Sequence, residues 1–176
     1  MKLTLSWLKE YLDTNASVDE IADKLTNIGL EVDSVNDMAA AFKGFVVGVV
    51  VEATKHPDAD KLQCLIVDNG TEKLKVVCGA PNARKGLKGV FAPAGSYIPG
   101  IDVVLKKANI RGEESNGMMC SEKELCLSDE HNGIIELADS SAQVGSPAAD
   151  ALGLNDVMID IELTPDRGDC ASIYGI

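Results

Sequence analysis

The sequence predicts a mainly β protein of the α+β class, with a barrel of about five short strands in the middle of 176 residues and a small helix-and-strand segment on either side. Three observations predict it. From Phe45 to Leu137 the chain is a succession of β-branched runs broken by Gly and Pro, with little helical periodicity. Residues 1–44 carry helix punctuation instead, and the last stretch holds an alternating strand, Val157, Ile159, Ile161 and Leu163.

Taken in order, Ser6 is placed to cap a short helix in which Trp7, Leu8, Tyr11 and Leu12 fall at helical spacing. Ser17-Val18-Asp19-Glu20 is a capping box, a hydroxyl three residues before the carboxylate that reaches back to it. Ile21, Ala22, Leu25 and Ile28 then form one apolar stripe, and Gly29 stands where that helix ends. Leu30, Val32 and Val35 read as a strand leaving it. So small a helix pair cannot close a core alone and requires a partner elsewhere in the chain.

In the middle, Phe45–Val51 is a long β-branched strand with Gly48 as its expected bulge, and His56-Pro57-Asp58-Ala59-Asp60 is turn chemistry. Leu62–Val67 is the next strand, Asp68-Asn69-Gly70 a turn, and Leu74–Cys78 a third strand. Gly89–Pro93 is expected at an edge or bulge because Pro93 donates no hydrogen bond. Val103–Leu105 and Ile134–Leu137 complete the set, with one small helix near Ser121–Leu125. Short strands with Gly/Pro turns at this spacing predict a closed Greek-key barrel of the oligonucleotide-binding (OB) type, though a two-sheet sandwich fits the same pattern. After it come a short helix at Pro147–Leu152, the alternating strand, and a tight charged loop, Thr164–Asp169. Cys170–Ile176 reads as the onset of a further helix, which predicts that the chain is part of a longer protein.

Charge first argues against a nucleic-acid partner and then for one. The 28 acidic and 16 basic residues leave a net charge of −12, whereas phosphates must be met by Lys and Arg. Residues 1–44, 45–140 and 141–176 carry −4, −3 and −5, yet Lys73–Arg111 carries +7, with Asp102 its only acid. Segregation of that kind is the footprint of a phosphate-binding face. Aromatics make up only 4% of the chain, and the middle block offers Phe45, Phe91 and Tyr97, some of which must fill the core. Structured RNA held by shape and backbone therefore fits better than a single strand read base by base.

Candidate RNA contacts follow from this. Lys55, His56 and Lys61 flank a turn where a phosphate can sit, with a His56 side chain that merely hydrogen-bonds its own turn as the alternative. Asn82, Arg84 and Lys85 lie on a Gly/Pro loop between strands, and Arg84 is the favoured single contact because a guanidinium suits phosphate oxygens. Lys106, Lys107 and Arg111 alternate around Ala108 and Ile110, which places some of them on one outward strand face. Asp58 and Asp60 sit in a turn with no apolar pocket to raise a pKa, so they read as turn-formers and not as a catalytic pair. No catalytic residue and no metal ligand is expected. The five cysteines (Cys64, Cys78, Cys120, Cys126 and Cys170) form no Cys-x-x-Cys pair and read as reduced, mostly buried thiols of a cytoplasmic protein. No run approaches the roughly 18 apolar residues of a membrane span, so no membrane partner is expected.

Two stretches go further than composition. His56-Pro57-Asp58-Ala59-Asp60-Lys61-Leu62 and Arg111–Glu122 resemble the signature of the tRNA-binding barrel found in free-standing tRNA-binding proteins and appended to some methionyl-tRNA synthetases. Together with Ser6-Trp7-Leu8-Lys9-Glu10-Tyr11 and Glu162–Cys170, the whole chain resembles the start of the bacterial phenylalanine–tRNA ligase beta-subunit family. That resemblance implies a barrel inserted into one discontinuous small domain, with residues 1–38 and 149–176 flanking a tRNA-binding OB-fold at 39–148. It also implies an α2β2 assembly with the alpha subunit, phenylalanine-specific tRNA as partner, and ATP and Mg²⁺ as cofactors of the assembly. Its active sites would all lie outside Met1–Ile176. A protein-docking module within the synthetase and a free-standing tRNA chaperone are the alternatives.

Overall fold

The computed structural model describes residues 1–137 and 142–176. The chain opens with strand β1 (Lys2–Thr4), helices α1 (Leu5–Lys9) and α2 (Val18–Asn27), strand β2 (Glu31–Asp37) and the single turn α3 (Met38–Ala41). Strands β3 (Val46–His56), β4 (Ala59–Asp68), β5 (Lys73–Cys78) and β6 (Lys88–Pro93) follow. Four short strands come next: β7 (Tyr97–Ile98), β8 (Val103–Val104), β9 (Ala108–Ile110) and β10 (Glu113–Ser115). Then come β11 (Gly117–Met119), helix α4 (Ala148–Leu152) and strand β12 (Val157–Glu162). These elements form two compact units, one from Met1–Ala41 with Gly153–Ile176, the other from Phe42–Leu152.

In the first unit β12 lies between β1 and β2 in an antiparallel sheet, so the last strand of the chain pairs with the first. Ile159 and Ile161 of β12 bury against Leu3, Leu8, Ile21, Leu25 and Leu30, which is the partner that the small helix pair required. The capping box on α2 forms in both directions. The Ser17 N–H donates to Glu20 Oε2 at 2.8 Å, and the Glu20 N–H donates to Ser17 Oγ at 3.3 Å. At the other end the Gly29 N–H donates to Thr26 O and the Leu30 N–H to Leu25 O, a Schellman closure that needs the left-handed φ of +87° at Gly29. The cap of α1 differs from expectation. Thr4 caps it by accepting from the Trp7 N–H, while the N–H and hydroxyl of Ser6 both go to Asp156. Only Leu8 of the expected stripe is buried, and Trp7, Tyr11 and Leu12 face solvent. The terminal segment makes one short 3₁₀ turn, Gly168–Cys170, and no further helix.

The second unit is a five-stranded antiparallel sheet in the order β11-β6-β3-β4-β5. It nearly closes on itself, because the Asn116 N–H donates to Lys75 O at 2.9 Å and the Val77 N–H to Ser115 Oγ at 3.1 Å. This is the OB architecture. Val50, Leu65, Val67, Val76 and Phe91 fill its interior.

Several strands differ from the sequence reading. The β3 bulge falls at Val51, where the register slips between Val50 and Glu52, and not at Gly48. Gly48 is required by packing: a Cβ there would lie 2.8 Å from Phe91 Cβ and 2.9 Å from Val67 Cγ1. β6 is an interior strand, tolerated because Pro93 is its last residue. Val103–Val104 leaves the barrel and pairs with β7 as a separate ribbon. The fifth barrel strand is instead β11, within the motif at Arg111–Glu122, and β10 just before it pairs with β9 in a separate hairpin. Ile134–Leu137 is held by two backbone bonds, the Ile135 N–H to Cys120 O and the Leu137 N–H to Lys88 O, and joins no ladder. Ser121–Leu125 is a hydrogen-bonded turn closed by reciprocal Ser121–Glu124 bonds, not a helix.

Candidate nucleic-acid interface

Barrels of this type bind oligonucleotides on the face of their second and third strands, between the loops joining strands one to two and four to five. Here the first loop is the Pro57–Asp58 turn between β3 and β4, and the second is the excursion after β6 that carries β7 to β10. The two loops are tied together. His56 is 4% exposed; its Nδ1 accepts the Asp58 N–H at 3.1 Å, and its Nε2 lies 3.0 Å from Ile110 O. With Nδ1 accepting, the ring proton sits on Nε2 and is donated to Ile110 O. Arg111 adds a second tie, donating from Nη1 to Asp58 O at 3.3 Å. It can do so because Arg111 and Gly112 both take left-handed φ, +52° and +94°, in the two-residue turn of the β9–β10 hairpin.

His56 therefore serves its turn, and its ring offers nothing to a phosphate. The lysines beside it do: Lys55 and Lys61 are exposed on either side of the tied turn, and Lys106 and Lys107 are exposed on the approach to β9. None of these four has an ion-pair partner among the described residues. Lys106 and Lys107 precede the strand, and Arg111 sits at its turn, so the three do not share one strand face.

The loop after β5 behaves differently. Arg84 makes a bidentate pair with Glu136, Nη1 to Oε1 at 2.8 Å and Nη2 to Oε2 at 2.6 Å. The Arg84 hydrogen bonds, with one from Asn82, hold the Glu136 carboxyl at about 2. Asn82 Nδ2 donates to Ile134 O at 2.9 Å and its Oδ1 accepts the Ile134 N–H at 2.9 Å. Asn82 and Arg84 thus clamp the Ile134–Glu136 segment, and a neutralised guanidinium is a poor phosphate ligand; Lys85 beside them stays exposed. Nothing in the sequence marks Glu136, which lies 52 residues away, as the partner of Arg84.

Across the strand face, Lys75 lies 4.0 Å from Glu113, and a cleft of about 220 Å³ there is lined by Glu52, Lys55, Cys64, Lys75, Glu113 and Glu114. Its charge is mixed, whereas Lys55, Lys61, Lys106 and Lys107 are the exposed lysines on and beside the tied loops. Asp58 is an exposed turn residue as expected, whereas Asp60 is exposed on β4 and belongs to the strand, not the turn. Among the described residues no three His, Cys, Asp or Glu side chains are grouped to hold a metal ion, and no helix is long and apolar enough to cross a membrane. Cys78, Cys120 and Cys170 are buried free thiols, but Cys126 is exposed.

The family model described as "Putative tRNA binding domain" matches residues 45–147, most of the barrel unit. The chain belongs to this tRNA-binding domain family. The tRNA-binding domain has close relatives in longer proteins. The phenylalanine–tRNA ligase beta subunit of Brucella abortus is 60% identical over all of this chain, and that of Bartonella quintana is 58% identical. The chain spans 22% of the length of each. A solved structure of a MetRS-related protein from Pyrococcus horikoshii is 27% identical, over 58% of this chain and 85% of that one, with a TM-score of 0.41.

Proposed function

We propose that this chain is the tRNA-contacting, non-catalytic region of the beta subunit of a phenylalanine–tRNA ligase. The observation that carries the proposal is the 60% identity to such subunits over the entire chain, barrel and flanking unit alike. In this proposal residues 39–148 form the tRNA-binding domain, and residues 1–38 with 149–176 form the small domain into which it is inserted. The cytoplasmic assembly is an α2β2 tetramer with the alpha subunit, charging phenylalanine-specific tRNA with ATP and Mg²⁺.

Lys55, Lys61, Lys106, Lys107 and Arg111 meet phosphates of the folded tRNA, while His56 and Asn82 hold the loops, and Lys85 is a peripheral cation. Arg84 contributes little, because Glu136 already neutralises it. The test is tRNA binding by the full chain at varied salt. Replacing Lys55, Lys61, Lys106 and Lys107 by Ala should weaken binding of any tRNA and lower the salt slope by about one for each lysine that meets a phosphate. Arg84→Ala should leave the slope unchanged. Absence of tRNA binding by the unaltered chain at low salt would instead favour a protein-docking role for the barrel.

A further inference from the structure

The barrel unit buries nearly all of its aromatic surface: Phe42, Phe45 and Phe91 are each 3% exposed or less. Tyr97 is the exception at 50%. It projects from the β7–β8 ribbon, where Tyr97 pairs with Val104 and Ile98 with Val103. Ile98, next in sequence and on the opposite side of the strand, is fully buried. The Tyr97 side chain is held in place by its own loop. Its hydroxyl donates to Asp102 Oδ1 at 2.8 Å, and Asp102 can reach it because it adopts a left-handed φ of +51°, a conformation that a non-glycine residue adopts at some cost.

The ribbon itself is anchored at both ends. At its tip the Gly100 N–H donates to Glu124 O at 2.8 Å, and a side chain at Gly100 would collide with Lys123 O. At its base the Leu105 N–H donates to Ser96 O and the Gly95 N–H to Leu105 O, both at 2.8 Å. Lys106 and Lys107 follow two and three residues after Val104, in the exposed link between β8 and β9. Val103 and Val104 are themselves exposed and extend the apolar surface around the ring.

We propose that the β7–β8 ribbon is a stacking platform for an unpaired nucleobase of RNA, with Tyr97 under the base and Lys106 and Lys107 on the adjoining phosphates. This deepens the tRNA reading above and rests on it. An exposed aromatic fixed by hydrogen bonding is a pre-ordered surface for a base face, and two unpaired cations beside it suit a polyanion better than an apolar protein surface. Asp102 is the acid nearest in sequence, and its carboxylate is occupied by the Tyr97 hydroxyl.

The experiment compares three RNAs against the full chain at low salt: tRNA, single-stranded oligoadenylate and a blunt RNA duplex of equal charge. Tyr97→Ala should weaken oligoadenylate binding about 5- to 140-fold, the 1–3 kcal/mol of one base–aromatic stack at 1.4 kcal/mol per tenfold, and leave duplex binding within twofold. Tyr97→Phe keeps the ring but loses the Asp102 bond, so on oligoadenylate it should fall between the parent and Tyr97→Ala, and on duplex it should stay within twofold, which also separates stacking from a folding defect. Lys106→Ala with Lys107→Ala should weaken all three. Equal loss on duplex and oligoadenylate in Tyr97→Ala, or no loss, overturns the platform while leaving the tRNA reading standing. Tyr97→Phe as weak as Tyr97→Ala overturns it too. If no RNA binds the unaltered chain, both the platform and the tRNA reading fail, and the ribbon is a protein-facing surface.

Discussion

His56 offers the sharpest test of how the two binding loops are held. Replacing it with Ala removes the Asp58 N–H to Nδ1 bond and the Nε2–H to Ile110 O bond at once, at a residue that is almost fully buried. Two lost hydrogen bonds at about 0.5–1.5 kcal/mol each, plus the partial burial of the abandoned partners, amount to about 2–4 kcal/mol. At a urea m-value of about 2 kcal/mol/M, the unfolding midpoint of the barrel should fall by about 1–2 M. Its amide signals, for instance those of Val50, Leu65 and Val76, report that transition. His56→Asn separates the two bonds. An Asn side chain can accept the N–H two residues on in an Asx turn, so the Asp58 bond returns while Ile110 stays unpartnered. That variant should recover about half of the loss. Affinity for tRNA should fall in His56→Ala with the salt slope unchanged, because loop geometry changes and the count of phosphate contacts does not. A midpoint within experimental error of the parent, or His56→Asn as unstable as His56→Ala, would refute this account of the junction.

Three further outcomes are expected. The Glu136 pKa is held at about 2, below its ordinary value of 4.5, chiefly by the hydrogen bonds from Arg84, so its contribution is full above about pH 4.5 and is lost as pH falls toward 2. The stability gap between the parent and Glu136→Gln should close across that window in urea titrations, and a gap independent of pH would count against the pairing. Gly48→Ala should destabilise the barrel by about 1–3 kcal/mol, since its Cβ would meet Phe91 at 2.8 Å inside a filled core, and a neutral result in thermal melts would show that the core yields there. Ser17→Ala should lower the stability of the helix-and-strand unit by about 0.5–2 kcal/mol through loss of the cap on Glu20, read as faster amide exchange at the start of α2.

Local signals in the sequence carried well where the interactions are themselves local. The α2 capping box, the Gly29 terminus, the Pro57–Asp58 and Asn69–Gly70 turns and the alternation in β12 all depend on neighbours within a few residues, and all are present. Pattern failed where one residue type serves two physical ends. Gly48 looked like a bulge but clears space for Phe91, and Val103–Leu105 has strand composition but pairs outside the barrel. The short β10 and β11 strands were hidden because their residues, Glu113–Met119, carry no β-branched run.

For the candidate interface, the sequence by itself determined that basic residues gather between Lys73 and Arg111 within a chain of net charge −12, and that the barrel flanks a His-Pro-Asp turn. Only the tertiary structure decided which of those charges remain available. Arg84, the most attractive residue on chemical grounds, is neutralised by a carboxylate 52 residues downstream, and His56 is spent on Ile110, 54 residues away. Charge and hydrogen bonding act through space over a few ångströms, and the barrel's closure sets which distant residues come within that range. The same closure buries three of the unit's four aromatics and leaves Tyr97 outside, on a ribbon whose second half, Val103–Val104, reads as a barrel strand in the sequence.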